Sequence, residues 1–236
     1  MKNRLNFIFA GVLVLFTLVT ATAQVRFGAK AGLNLASISY SDDYIGDTEG
    51  LLEGRLTTGM IPAFHAGGLV EFDFGSAVGL SAGVQLSMKG GSLDLSGSLL
   101  GTPFTSTSTA RPMYVQVPVA FYYRNSGFYA GVGPYVGFGV AGKIKTKAEV
   151  AGQSEEKTDD IEFGNDSDDS FAPLDFGAGL ELGYEFGSIR VSASYNLGLA
   201  NAAPKDAVDQ GKDAGRDYKY THNVIGVSVA YLFGGK

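Results

Sequence analysis

Few residues in this chain have the makings of reactive chemistry. His65 and His222 are its only histidines and it has no cysteine, so thiolate nucleophiles, disulfides and Cys-based metal sites are all excluded. Neither histidine has a nearby Ser/Asp pattern resembling a nucleophile site, and His65 reads as a hydrogen-bonding residue. Glu71 and Asp73 lie two apart, as an acid/base pair on one strand face would, but inward arginines explain them more simply. A third cluster lies in "EVAGQSEEKTDDIEFGNDSDDS", where Glu149, Glu155, Glu156, Asp159, Asp160, Glu162, Asp166, Asp168 and Asp169 accompany the single Lys157. Crowded carboxylates can hold Ca²⁺ or Mg²⁺; here the fit to a calcium loop is poor, and the stretch reads as a solvated, mobile loop. No catalytic, cofactor or metal site is expected. What remains is a set of charges on the polar face of alternating segments: Arg26, Lys30, Glu71, Asp73, Glu181, Glu185 and Arg190 toward the short-turn half, with Lys89 and Asp175 also on the inward face. The seven in the short-turn half are three basic and four acidic, a near-balance that suits mutual pairing in an enclosed interior.

The elements that would position them begin after a leader. Lys2 and Arg4 precede the apolar run "LNFIFAGVLVLFTLV" and the small-residue site Ala21-Thr22-Ala23, the pattern of a secretory signal. The expected organisation is a signal peptide over 1–23 and one domain over 24–236. No other apolar stretch approaches the ~20 residues of a spanning helix. The chain has 18 Lys+Arg against 24 Asp+Glu, and net charge −8 without Lys2 and Arg4, which argues against nucleic acid as a partner. Export normally permits disulfides, so a cysteine-free exported chain must be held by something else, such as a closed hydrogen-bonded ladder. The 34 glycines show neither a collagen period nor a linker-like composition and therefore belong inside ordered structure.

Period-2 alternation recurs in eight segments, the trace of strands dividing two environments. They run near 25–35, 64–74, 78–88, 113–123, 128–138, 174–186, 189–197 and 225–233. In "VGLSAGVQLSMK", Val78, Leu80, Ala82, Val84, Leu86 and Met88 alternate with small or polar residues. The tight turns "GSA", "RNSG" and "GS" alternate with connections of about 20 residues or more, so all long loops leave from one end. Apolar-face aromatics gather at the short-turn or terminal ends (Phe27, Phe72, Phe74, Phe121, Tyr123, Phe128, Tyr184, Phe186, Tyr231, Phe233), with a thinner set (Phe64, Phe138, Phe176) near the long loops. Two aromatic rows bounding an apolar band mark a membrane barrel rather than a soluble sandwich. The fold expected is an all-β, eight-stranded antiparallel up-and-down transmembrane β-barrel. Its lumen has room only for its own side chains. The stretch "GGSLDLSGSLLGTPFTSTSTA" alternates weakly, so the strands around it are expected to extend past the bilayer as a hairpin.

The motifs "RFGAKAGLNLAS", "YVQVPVAFYYR", "FYAGVGPYVGFG", "DFGAGLELGYEFG" and "YNLGLANA", with an aromatic last strand, resemble the outer-membrane β-barrel family of Bacteroidota called porin-like or PorT-like. The resemblance spans nearly the whole mature chain. It implies an outer-membrane location in a Gram-negative envelope and no defined set of functional residues. On this reading the protein is a non-enzymatic monomer, and a narrow transport barrel and a lipid-modifying enzyme are the alternatives. Its expected partners are outer-membrane lipid, lipopolysaccharide, the barrel-assembly machinery during insertion, and an unidentified protein at the extracellular loops or periplasmic rim. Mass spectrometry of the membrane-fraction protein is expected to find Gln24 as its first residue; a retained Met1 would contradict the leader.

Overall fold

The computed structural model describes residues 24–42, 54–75, 77–99 and 102–234. The expected leader and most of the first long loop lie outside them. Eleven antiparallel strands follow in order: β1 (Gln24–Tyr40), β2 (Gly54–Gly59), β3 (Ile61–Asp73), β4 (Val78–Met88), β5 (Gly91–Leu99), β6 (Thr102–Asn125), β7 (Phe128–Val150), β8 (Gln153–Asp160), β9 (Leu174–Phe186), β10 (Ile189–Gly198) and β11 (Tyr220–Phe233). Eight of them close a ring, β1-β3-β4-β6-β7-β9-β10-β11, with β11 paired back to β1 from Phe27↔Phe233 to Tyr40↔Tyr220. Closure leaves no unpaired edge within the ring.

The expectation of eight strands undercounts. β2 and β5 continue β3 and β4 beyond the ring across breaks at Met60 and Gly90, the latter with φ +121. That backbone conformation is open to glycine and costly to other residues. β8, "QSEEKTDD", is exposed along its whole length. A strand with water on both faces has no apolar alternation to betray it. The third long loop is solvated as expected but is not an unpaired loop: its first half is paired strand, in register from Lys143↔Asp160 to Val150↔Gln153.

Together β2, β5, the upper halves of β6 and β7, and β8 form a five-stranded sheet that rises from one side of the ring. On the other side the strands stop near the mouth, which is closed by side chains instead. Ile38, Ile161, Phe171 and Ala202 are buried together there, with Tyr40, Ala110, Ile144, Phe163 and Tyr220 packed against them. Ile161, Phe163 and Phe171 come from the second half of the acidic loop. The fourth long loop adds Ala202 and a short helix, α1 (Lys205–Asp213). The two loops are tied by Ala172 N–H to the Ala202 carbonyl (2.8 Å) and Asp206 N–H to the Asn165 carbonyl (2.9 Å).

Burial follows the pleat. Along β1 the inward Arg26, Gly28, Asn34 and Ala36 are buried, whereas Phe27, Leu33 and Leu35 face out. The outward face carries Val84, Val132, Leu180, Val191 and Val227 at mid-height. Exposed aromatics Phe27, Phe74, Phe121, Tyr123, Phe128, Tyr184, Phe186, Tyr231 and Phe233 lie toward the short-turn end, and Phe64, Phe138 and Phe176 toward the mouth. Fully exposed apolar surface on this scale is stable only against lipid. Inside, the ring is so narrow that some inward positions tolerate no side chain. A Cβ on Gly67 would run into the Val84 carbonyl and the Gln85 Cα.

Val84 is 58% exposed at the middle of the outward face. Val84→Arg is expected to lower unfolding stability in lipid vesicles by roughly 2 to 4 kcal/mol, the cost of a basic residue at the bilayer midplane. Gln85→Ala, one residue away and inward, is expected to cost far less in the same urea titration.

Candidate functional site

The charged residues converge at the short-turn end of the lumen. Arg26 on β1 stands directly across from Glu71 on β3, and Arg190 on β10 directly across from Glu185 on β9. Glu71 is 0% exposed and accepts from both arginines, at 2.5 Å from Arg26 Nη2 and 2.7 Å from Arg190 Nη1. Glu185 accepts from Arg26 Nη2 and Arg190 Nη2, each at 3.0 Å. Asp73 accepts from the Tyr122 hydroxyl at 2.5 Å and from Arg124 Nη2 at 2.9 Å, and Arg124 Nη1 lies 3.5 Å from Glu185. The Arg190 guanidinium also lies over the Tyr129 ring, 3.6 Å from its centroid, a favourable stacking for a delocalised cation. Three arginines and three carboxylates form a plate across the lumen.

One level up, Lys30 Nζ meets Glu181 at 2.8 Å, and the Ser192 hydroxyl donates to the other Glu181 oxygen at 2.6 Å. All seven charges expected in the short-turn half of the lumen are therefore brought together, in two tiers. Arg124 lies outside the expected set because in sequence it opens the turn "RNSG". Continuing the inward series Tyr114, Gln116, Pro118, Tyr122 by one step would have placed it in the lumen.

Above these tiers is a polar cavity of about 80 Å³, lined in part by Lys30, His65, Gln85, Gln116, Tyr135 and Glu181, with room for a handful of water molecules. Both His65 ring nitrogens are engaged, with Asn34 Oδ1 at 2.8 Å and Ser228 Oγ at 2.9 Å. Toward the mouth is a third tier that was not singled out from the sequence as a pair. Lys89 Nζ contacts Asp175 at 2.5 Å and lies 4.1 Å from the Tyr135 ring centroid. The Tyr114 hydroxyl is 3.1 Å from His222 Nε2, and Phe171 of the mouth cap stacks on the His222 ring. Among the described residues the lumen holds five basic groups (Arg26, Lys30, Lys89, Arg124, Arg190) and five acidic ones (Glu71, Asp73, Asp175, Glu181, Glu185), each in an ion pair. No group of three or more metal-ligating side chains occurs among the described residues.

The model of a family described as outer membrane protein beta-barrel domain matches residues 20–203. No curated protein matches the chain. Among solved structures the chain is similar to Ail, the attachment invasion locus protein of Yersinia pestis, at 12% identity over 89% of this chain and 99% of that one, with TM-score 0.41. It is also similar to the outer membrane protein OprG of Pseudomonas aeruginosa (13% identity, 90% and 98% covered, TM-score 0.35). A third likeness is to the outer membrane protease OmpT of Escherichia coli (9% identity, 91% and 99% covered, TM-score 0.31). These distant likenesses carry no argument about activity. The family match covers most of the chain, accords with the closed antiparallel ring and its outward apolar belt, and establishes that this chain belongs to the outer membrane protein beta-barrel domain family and that the protein resides in the outer membrane.

Proposed function

We propose that the protein is a non-enzymatic, monomeric eight-stranded barrel with a sealed lumen, and that it acts through the elements it raises above the outer membrane. The observation that carries this reading is the charge-matched filling of the lumen. The arginine–carboxylate plate closes one end, the Lys89–Asp175 tier and the aromatic cap close the other, and the cavity between them is too small for a solute. An eight-stranded barrel has space for side chains and little else. The engaged ring nitrogens of His65 and the burial of His222 beneath Phe171 favour structural over catalytic roles for both histidines. A place among the PorT-like barrels of Bacteroidota is the finer family assignment, supported by "YVQVPVAFYYR" and the aromatic last strand.

The five-stranded sheet then becomes the working part. Two of its five strands, β6 and β7, run without a break from the ring, so a load or ligand on the sheet is transmitted directly into the barrel. Its free edges, β2 and β8, are short, and β8 is strongly charged, a combination that discourages indiscriminate strand pairing.

In planar lipid bilayers the wild-type protein is expected to show no stepwise single-channel conductance. Resolved, reproducible steps from the folded protein would replace this reading with the narrow transport barrel. The plate itself is tested by Glu71→Gln, which removes the carboxylate shared by Arg26 and Arg190. Breaking one partner of a buried ionic cluster costs about 3 to 5 kcal/mol, and chemical unfolding in vesicles is expected to show a loss of that size.

A further inference from the structure

The sheet beyond the ring ends in β8, which has a partner strand on one side only. Its ladder with β7 is unbroken from Lys143↔Asp160 to Val150↔Gln153 and continues in the bond from Ile161 N–H to the Gly142 carbonyl (3.0 Å). That bond fixes the phase of the ladder: the odd-numbered residues of β8 spend their backbone groups on β7. Antiparallel pairing alternates along a strand, so Ser154, Glu156, Thr158 and Asp160 turn their N–H and C=O groups to the open side. Among the described residues no hydrogen bond reaches these backbone groups. Such a row is a template for a further strand.

Proteins blunt exposed edges with proline, a bulge, charge or a covering loop. β8 has no proline, its register shows no shift, and every residue from Gln153 to Asp160 is exposed. Its protection is charge of one sign, Glu155, Glu156, Asp159 and Asp160 against the single Lys157. The acids occupy both faces of the strand: Glu156 and Asp160 share a face with Lys147 and Lys143, and Glu155 and Asp159 share the other with Ala148 and Ile144. Lys143–Asp160 (3.5 Å) and Lys145–Glu156 (2.8 Å) are exposed pairs of the kind worth little net energy. The lysines of β7 also stand one strand further in. A strand added to β8 would lie about 4.8 Å from it and about twice that from β7, so its nearest charges would be the acids. A second copy of β8 would set acid against acid, which destabilises a pair. The edge therefore rejects itself and acidic strands and suits a basic one.

We propose that β8 is a docking edge for an extended basic segment of another protein, which adds to the sheet as a further strand. Main-chain bonds to Ser154, Glu156, Thr158 and Asp160 supply the pairing, and Glu155, Glu156, Asp159 and Asp160 select lysine and arginine beside them. The occupant is thereby joined to β7, which runs on into the ring. This inference rests on the reading that the protein acts through its raised elements.

The test uses the mature full-length protein refolded in zwitterionic detergent micelles. Its probe is a labelled eight-residue peptide alternating lysine with threonine, and its readout is fluorescence anisotropy. The same peptide N-methylated at every backbone amide keeps its charge and loses its donors, and is expected to bind wild type at least about tenfold more weakly. A peptide with glutamate in place of lysine is expected not to bind. Thr158→Pro removes one edge-facing N–H at a position where β7 needs none, and is expected to weaken the basic peptide about fivefold. The quadruple variant Glu155→Gln, Glu156→Gln, Asp159→Asn, Asp160→Asn is expected to weaken it at least about tenfold. Equal binding of the basic peptide and its N-methylated form would overturn the proposal, since charge attraction alone would then explain it. Failure of wild type to bind the basic peptide, or a folded Thr158→Pro variant that binds it as wild type does, would overturn it too. Both peptide comparisons use wild type, so the decision does not depend on the folding of a variant. Single-channel steps would sink the sealed-lumen reading and leave peptide binding unchanged, so the two fail separately.

Discussion

Glu71 accepts from two arginines that reach it from opposite sides, and the interior of the ring is organised around that buried carboxylate. Arg26 and Arg190 are carried by β1 and β10, and Glu71 by β3. With Glu185 on β9 completing both arginine contacts and Arg124 on β6 joining Asp73 to Glu185, five ring strands meet in one cluster. A narrow lumen surrounded by lipid offers no bulk water to an unpaired charge, so the groups must neutralise one another within reach of their side chains. The inward glycines follow from the same constraint. Gly67 and its counterparts let strand backbones and long side chains approach where a methyl group would already collide.

The outward surface obeys the opposite rule. Within the membrane, hydrogen bonds are completed between strands, and side chains need only be apolar. Above it both faces of a strand can be wet, and the pattern relaxes. Extending β3, β4, β6 and β7 beyond the ring as a sheet, while closing the far side with loops, makes the long-loop end asymmetric. The aromatic cap of Phe163 and Phe171 and the sheet meet at Ala110 and Ile144, so the rising wall is braced against the plug of the mouth. A β-bulge serves both sides of that junction: the β6–β7 register slips by one residue at Val140, between Tyr114↔Gly139 and Met113↔Ala141, which turns Ile144 toward the cap and Lys143, Lys145 and Lys147 to the exposed outward face.

The acidic loop shows how composition can mislead. Its charge density suggests a solvated tether, yet Glu149, Glu155, Glu156, Asp159 and Asp160 lie on a paired hairpin whose lysine-bearing partner strand offsets the charge, and the residues just beyond descend into the barrel mouth. Ile161, Phe163 and Phe171 are the apolar anchors within that polar run. Three such residues dispersed among acids and glycines have no period to read, and their role is visible only where the ring presents a hole for them to fill.

What the sequence determined by itself was the membrane-crossing ring. Its eight alternating segments, tight turns, aromatic rows and inward charges all answer to one local requirement, that successive side chains face lipid and lumen in turn, and this period of two is written residue by residue. It also supplied Arg26, Lys30, Glu71, Asp73, Glu181, Glu185 and Arg190 as an inward set. The tertiary structure alone decided which charge meets which, including the pairing of the inward Lys89 with Asp175, because pairing depends on the register between strands distant in the chain, and it added Arg124 for the same reason. It alone decided the sheet beyond the ring and the outward turn of Lys143, Lys145 and Lys147. A β-bulge is one extra residue in a paired ladder, and without the partner strand there is nothing against which to count it.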